Sequence, residues 1–140
     1  MRKICKIFGG DSWKSLDHKI IVNKAVFISG CGDIHPYKNG PIFKDTETVF
    51  INRCNKNFTY YWLDKYTFPN INTIYLACHP CDDSVLNRFP KAKFYLSDRF
   101  ISYKLRGAKD LNSVIIMTDT NIETELENFI EIPLISYSNK

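Results

Sequence analysis

Short runs of β-branched, aliphatic and aromatic residues recur along the chain, each closed by turn-forming residues. They are KICKIF (3–8), KAVFISG (24–30), TVFINR (48–53), TIYLAC (73–78), KFYLS (93–97), SVIIMT (113–118) and IEIPLI (130–135). Most are apolar at consecutive positions and do not alternate with polar residues. That pattern belongs to strands covered on both faces, as in a parallel sheet packed between helices. Gly9-Gly10 closes the first run early, and Pro133 removes a backbone donor from the last, which predicts an edge strand there.

Between the runs lie four segments with helical signals. Residues 59–68 (TYYWLDKYTF) stop before Pro69, and residues 82–89 carry acids at their start and Pro90 after their end. Residues 97–107 open on Ser97 or Asp98 and stop at Gly107. Residues 119–129 place acids in their first turns, where they favour the helix dipole. Tyr60, Leu63 and Tyr66 fall at helical spacing and predict a core-facing stripe. Strand, helix and strand follow one another every ~20 residues. This predicts an α/β fold, a Rossmann-like three-layer sandwich with a mostly parallel sheet of five to six strands. No internal repeat, low-complexity block or Pro/Gly/Ser linker breaks the chain, so residues 1–140 are read as a single Rossmann-like domain.

At 140 residues and 44% hydrophobic content, the chain can bury one core of its own. No apolar run reaches about 18 residues, so no membrane span is expected. The apolar stretch in MRKICKIFGGDSW is too short for a secretory signal, and a cytoplasmic protein is the expectation. Five scattered cysteines, an odd number, agree with reduced thiols better than with a disulfide scaffold. The net charge of +4 is uneven: residues 1–60 hold ten bases and five acids, residues 61–140 nine bases and ten acids. The basic amino-terminal half favours an anionic ligand such as a nucleotide. Without a run of consecutive Lys or Arg, a nucleic-acid partner is not expected.

In an open parallel sheet, ligands gather outside the carboxyl ends of the strands, where strand order reverses. The segments leaving those ends here are polar: SGCGDIH (29–35), NRCNKN (52–57), CHPCDD (78–83), SDRF (97–100) and TDTN (118–121). Gly30 and Gly32 flank Cys31 and precede Asp33. Glycine permits positive φ and close backbone approach, so amide groups of this loop could face a phosphate. The loop lacks the third glycine of a dinucleotide fingerprint and the Gly-Lys-Ser/Thr of a P-loop. His35 and His79 stand at the same expected edge and are the acid–base candidates, since imidazole titrates near neutrality. A zinc site built from Cys31, His35, Cys78, His79 and Cys81 is an alternative if the two strands are neighbours. Zinc wants four such ligands, and CHPC supplies one tight half-site, so no metal ligand is assigned. The same C-x-x-C could lower a thiol pKa for redox work. Asp82, Asp83, Asp98 and Asp119 fall at expected helix starts and read as caps.

Taken together, VFISGCGDIHPYKNGPIFKDTETVFINRCNKNF resembles the opening of the sialyltransferase-type glycosyltransferases, particularly the bacterial lipooligosaccharide sialyltransferases. In that family an apolar strand runs into a glycine-containing loop, often Gly-Asn-Gly-Pro-Ser. An acid then precedes a second strand ending in Arg-x-Asn or Arg-Cys-Asn. The parallels are Gly30-Cys31-Gly32, then Asp45, then VFINRCN with Arg53 and Asn55. An aromatic stretch and the strand INTIYLACHP follow in a similar order, so the likeness spans roughly residues 24–80. It implies that Gly30, Gly32 and Asn55 contact a cytidine nucleotide-sugar donor. Cys31 stands where the family usually has Asn, and Asp33-Ile34 where it has Pro-Ser.

The expected function is a small glycosyltransferase-like protein that binds a nucleotide or nucleotide-sugar at the carboxyl edge of the sheet. Gly30, Cys31, Gly32, Asp33, Arg53 and Asn55 form the expected binding set, His35 or His79 the acid or base, and no cofactor is called for. A non-catalytic Rossmann-like module for protein contact or a small anion is the alternative, together with a small Cys/His zinc protein.

Overall fold

The computed structural model describes residues 2–32, 35–77, 83–100 and 114–138. In chain order the elements are β1 (Lys3–Phe8), a single turn α1 (Asp11–Lys14), β2 (Lys19–Ile21), β3 (Ala25–Ser29) and β4 (Ile42–Phe43). Then come β5 (Thr48–Asn52), α2 (Lys56–Trp62), β6 (Thr73–Ala77), α3 (Asp83–Arg88) and β7 (Lys93–Ser97). The chain closes with β8 (Val114–Met117), α4 (Asp119–Glu127), β9 (Ile130–Glu131) and β10 (Ser136–Ser138). Seven strands make one sheet in the order β8-β7-β6-β5-β3-β1-β9, and every pairing in it is parallel. β2 lies between β10 and β4 in a small side sheet.

This is an α/β layout, a Rossmann-like sandwich, with seven strands in place of the five to six expected. The final apolar run contributes two residues of edge strand, β9, on the far side of β1. The chain stays tied one residue further, where Ile132 N donates to Ile4 O at 2.8 Å, and Pro133 then ends the ladder. The helix expected at 59–68 starts earlier, because Asn55 accepts from Asn57 N at 2.8 Å and caps it there. Of the expected stripe Leu63 is buried, Tyr60 is half-buried and Tyr66 is 65% exposed, while the shifted helix turns Phe58 and Trp62 inward. Of the helix expected at 97–107, Ser97 still belongs to β7, Asp98–Phe100 form one 3-10 turn, and 101–107 lie outside the described residues.

Right-handed crossovers explain the layers. From β1 the chain steps one way, through β3, β5, β6, β7 and β8, which puts α1, α2 and α3 on one face. Trp13, Phe58, Trp62 and Val85 accordingly pack with Ile7, Ile28, Ile51 and Leu76. The return from β8 to β9 runs the opposite way and puts α4 on the other face, where Ile122 packs with Phe50 and Tyr75. A helix is about 10 Å wide and strands lie about 4.8 Å apart, so one helix covers about two strands. α4 packs on β6 and β7, and no described helix lies over β1 and β3 on that face.

Register sets Phe27, Phe50, Tyr75 and Tyr95 in one row across the α4 face. Phe50 and Tyr75 stack with centroids 4.0 Å apart, Tyr75 and Tyr95 at 4.4 Å. Each such pair contributes about 1 kcal/mol beyond its buried area. Register also uncovers a short internal repeat where none was expected. β3 continues as Val26-Phe27-Ile28-Ser29-Gly30-Cys31 and β5 as Val49-Phe50-Ile51-Asn52-Arg53-Cys54, paired residue for residue through Ser29 and Asn52. Six residues of a β-rich pattern do not stand out against the other runs until the pairing aligns them. No helix among the described residues is long and apolar enough to cross a membrane.

Candidate functional site

A cleft of about 680 Å³ opens at the carboxyl ends of β3, β5 and β6, beside α4. Sites for small molecules fall in the range of about 300–1,000 Å³. Phe27, Phe50 and Tyr75 make its floor, and Ile122, Glu123 and Leu126 of α4 wall one side. The turns that leave β3 and β5 form its rim.

Backbone geometry at the rim is tight. A Cβ on Gly9 would lie 2.1 Å from the carbonyl oxygen of Gly30, so the turn after β1 passes the turn after β3 only without a side chain there. Gly9 N donates to Ser29 O at 2.8 Å and fixes that approach. Gly30 adopts φ 73°, and Arg53, its counterpart after β5, adopts φ 52°. The left-handed region costs an L-residue about 1–2 kcal/mol. Arg53 is exposed and has no hydrogen-bond or ion-pair partner among the described residues.

Both turns are held from beneath. Asn55 N donates to Cys31 O at 2.7 Å, and Gly30 N to Asn52 O at 3.3 Å. The Cys54 thiol lies 3.4 Å from Asn52 O. Cys31 and Cys54 are buried at the base of the cleft. A hydrogen bond from the Cys54 thiol holds Cys31 below the usual thiol range, in opposition to burial. The same bond, and then burial, push the Cys54 thiol up.

At the far end, Ser97 donates to Asp119 Oδ1, and Arg99 Nη1 pairs with Asp119 Oδ2 at 3.1 Å. Asp119 therefore joins the end of β7 to α4 and does not cap the helix as expected. Thr118 is the cap, accepting from Asn121 N at 3.1 Å.

Of the residues singled out from the sequence, Gly30, Cys31, Gly32, Arg53 and Asn55 line this cleft together. Asn55 has a structural task as well, since its Oδ1 caps α2. His35 is placed elsewhere: its ring lies 4.5 Å from that of Tyr61 on α2. Asp33 and His79, like Cys78 and Cys81, lie outside the described residues. Of the zinc set, Cys31 is at the cleft and His35 against Tyr61, and no group of three or more His, Cys, Asp or Glu among the described residues could hold a metal. The cleft also departs from the expected switch point. Strand order reverses at β1, between β3 and β9, whereas the cleft centres on β5, next to α4, the one helix on that face among the described residues. The aromatic floor was missed, although a signal for it exists. Four runs carry an apolar–aromatic–aliphatic triplet: VFI at 26–28 and 49–51, IYL at 74–76 and FYL at 94–96.

Residues 26–108 match the family described as "Family of unknown function (DUF5845)". "Uncharacterized protein L163" of Acanthamoeba polyphaga mimivirus is 40% identical over 101 residues, which is 71% of this chain and 72% of that protein. "Uncharacterized protein R849" of the same virus is 32% identical over 117 residues, 84% of this chain and 81% of its own length. No solved structure matches the chain. The segment matched by the family contains both left-handed turns of the rim.

Proposed function

The chain belongs to the family of unknown function DUF5845, and on that premise we propose that it binds a nucleotide or nucleotide-sugar in the cleft beside α4. One observation carries this reading: Arg53, in strained backbone and without a charge partner among the described residues, stands over an aromatic floor. Backbone strain persists where the surrounding structure overrides it, and it concentrates at ligand sites. A guanidinium and neighbouring backbone amides are the groups that receive a phosphate. Arg53 and the Gly30–Gly32 turn supply both on one rim. Phe27, half-buried at the floor, offers a ring against which a base can stack. Asn52 and Glu123 offer hydrogen-bond partners for sugar hydroxyls. With His35 away from the cleft, this reading stops at binding and assigns no catalytic base.

Thermal denaturation with CMP, CDP, UDP, CMP-sugars and inorganic phosphate tests it. A nucleotide present at about 100 times its Kd adds about 2.7 kcal/mol of apparent stability. Unchanged melting with every nucleotide overturns the proposal. A rise with phosphate as large as with any nucleotide makes the site a small-anion pocket instead.

A further inference from the structure

Nucleotide binding leaves one feature of the cleft unused. Ser29 and Asn52 are paired in register on adjacent parallel strands, and Cys31 and Cys54 each lie two residues beyond, past a left-handed residue. Adjacent strands run about 4.8 Å apart, and a disulfide needs Cα atoms about 4.4–6.8 Å apart. Carried two residues past the last pair of the ladder, that register sets Cys31 opposite Cys54. Asn55 N clamps the Cys31 carbonyl at 2.7 Å, which ties the two turns together at the level of the cysteines. Both cysteines are reduced, line the cleft, and are only 1% and 2% exposed. Such burial shuts out a bulky disulfide, so the oxidant proposed is a small hydroperoxide that enters by the cleft both residues line.

We propose that Cys31 and Cys54 are a peroxide-reactive dithiol, with Cys31 as the attacking thiol and Cys54 as the resolving one, which closes a disulfide between the turns after β3 and β5. The Cys31 thiolate attacks one oxygen of the hydroperoxide, the O–O bond breaks, and the departing oxygen takes a proton. Cys31 is then a sulfenic acid. The Cys54 sulfur attacks the Cys31 sulfur as its own proton leaves; the S–O bond breaks, and hydroxide and proton depart as water. The two thiols lose two electrons and the peroxide gains them. The roles follow from the asymmetry of the pair. Cys31 is held below the usual thiol range and Cys54 above it, and the thiol that ionises more readily is the better attacking group. Cys5 stands apart in β1, its thiol pushed up to about 11 by burial. The disulfide would link the turn of Gly30 to that of Arg53, so oxidation would brace the rim whatever ligand the cleft takes.

The test treats the full reduced chain with hydrogen peroxide, blocks remaining thiols with a maleimide, and maps the peptides by mass. The expected product is a cross-linked pair joining Cys31 to Cys54, two hydrogens lighter than the separate peptides and restored by dithiothreitol. In C54S, dimedone should label Cys31 with no cross-link. In C31S, thiol loss at Cys54 should slow by about tenfold or more. Cross-links from Cys31 or Cys54 to other cysteines overturn the proposal. So does loss of both thiols no faster than of Cys5, or wild-type oxidation of Cys54 in C31S. Mapping the wild-type chain decides the first two without any substitution, so a variant that fails to fold cannot shelter the proposal.

Discussion

Arg53 and Gly30 occupy the same place in the two copies of a six-residue repeat, and the turn asks the same left-handed backbone of both. Glycine meets that demand without strain, whereas arginine gives up about 1–2 kcal/mol to bring a cation to the rim. Arg53→Gly is therefore expected to melt at or above the wild-type temperature. The relief is partly offset by the roughly 0.5–1 kcal/mol that glycine loses through its freer unfolded chain. Its affinity for a nucleotide should fall by about tenfold or more, because the charge-assisted contact goes with the side chain. A variant that melts several degrees lower and binds unchanged would sink the role given to Arg53. Asn55 teaches the converse. Chosen for a ligand, it spends its amide oxygen on the first turn of α2, and NRCNKN offers three asparagines among which hydrophobic spacing cannot pick the cap.

α4 governs the shape of the cleft, and it is only nine residues long. Helices that short do not persist alone in water, so α4 depends on its docking against the sheet. Ile122 is its one fully buried side chain, set against the Phe50–Tyr75 part of the aromatic row. Ile122→Ala should cost about 2–3 kcal/mol in urea denaturation. Amide exchange should accelerate in α4 while the central strands β3, β5 and β6 keep their protection. If the amides of α4 exchange only when the whole chain unfolds, its dependence on this one contact is wrong. The strands of the seven-stranded sheet were legible along the chain, since burial on both faces writes continuous apolar runs, whereas the two- and three-residue strands β2, β4 and β10 of the side sheet were not. The starts of helices were less so, because side-chain caps such as Asn55 and Thr118 decide them within one turn.

Tyr75, 5% exposed and stacked between Phe50 and Tyr95, couples the stability of the molecule to alkaline pH. Burial, and then the nearby Glu125, raise its phenol from 10.0 to about 12. The folded chain thus holds this proton more tightly than the unfolded one. The stability so gained is complete below pH 10 and is lost as the pH climbs toward 12, a change of about 2 kcal/mol. Urea midpoints should fall across that window, and less steeply in Tyr75→Phe. Equal slopes in the two proteins would remove Tyr75 from this account. The α/β class, the parallel sheet and the polar edge at its carboxyl ends could be read from the chain alone, for each is written in neighbouring residues. The apolar runs record burial, and the Gly, Asn and Asp that follow them record turns. The position of the cleft could not. It depends on which strands are neighbours, on the return through α4 that crosses to the other face, and on the register that sets residue 29 against residue 52. The same long-range pairing brings Cys31 to Cys54 and leaves His35 beside Tyr61. No local pattern encodes it, because the partners are distant in sequence and meet only when the sheet assembles.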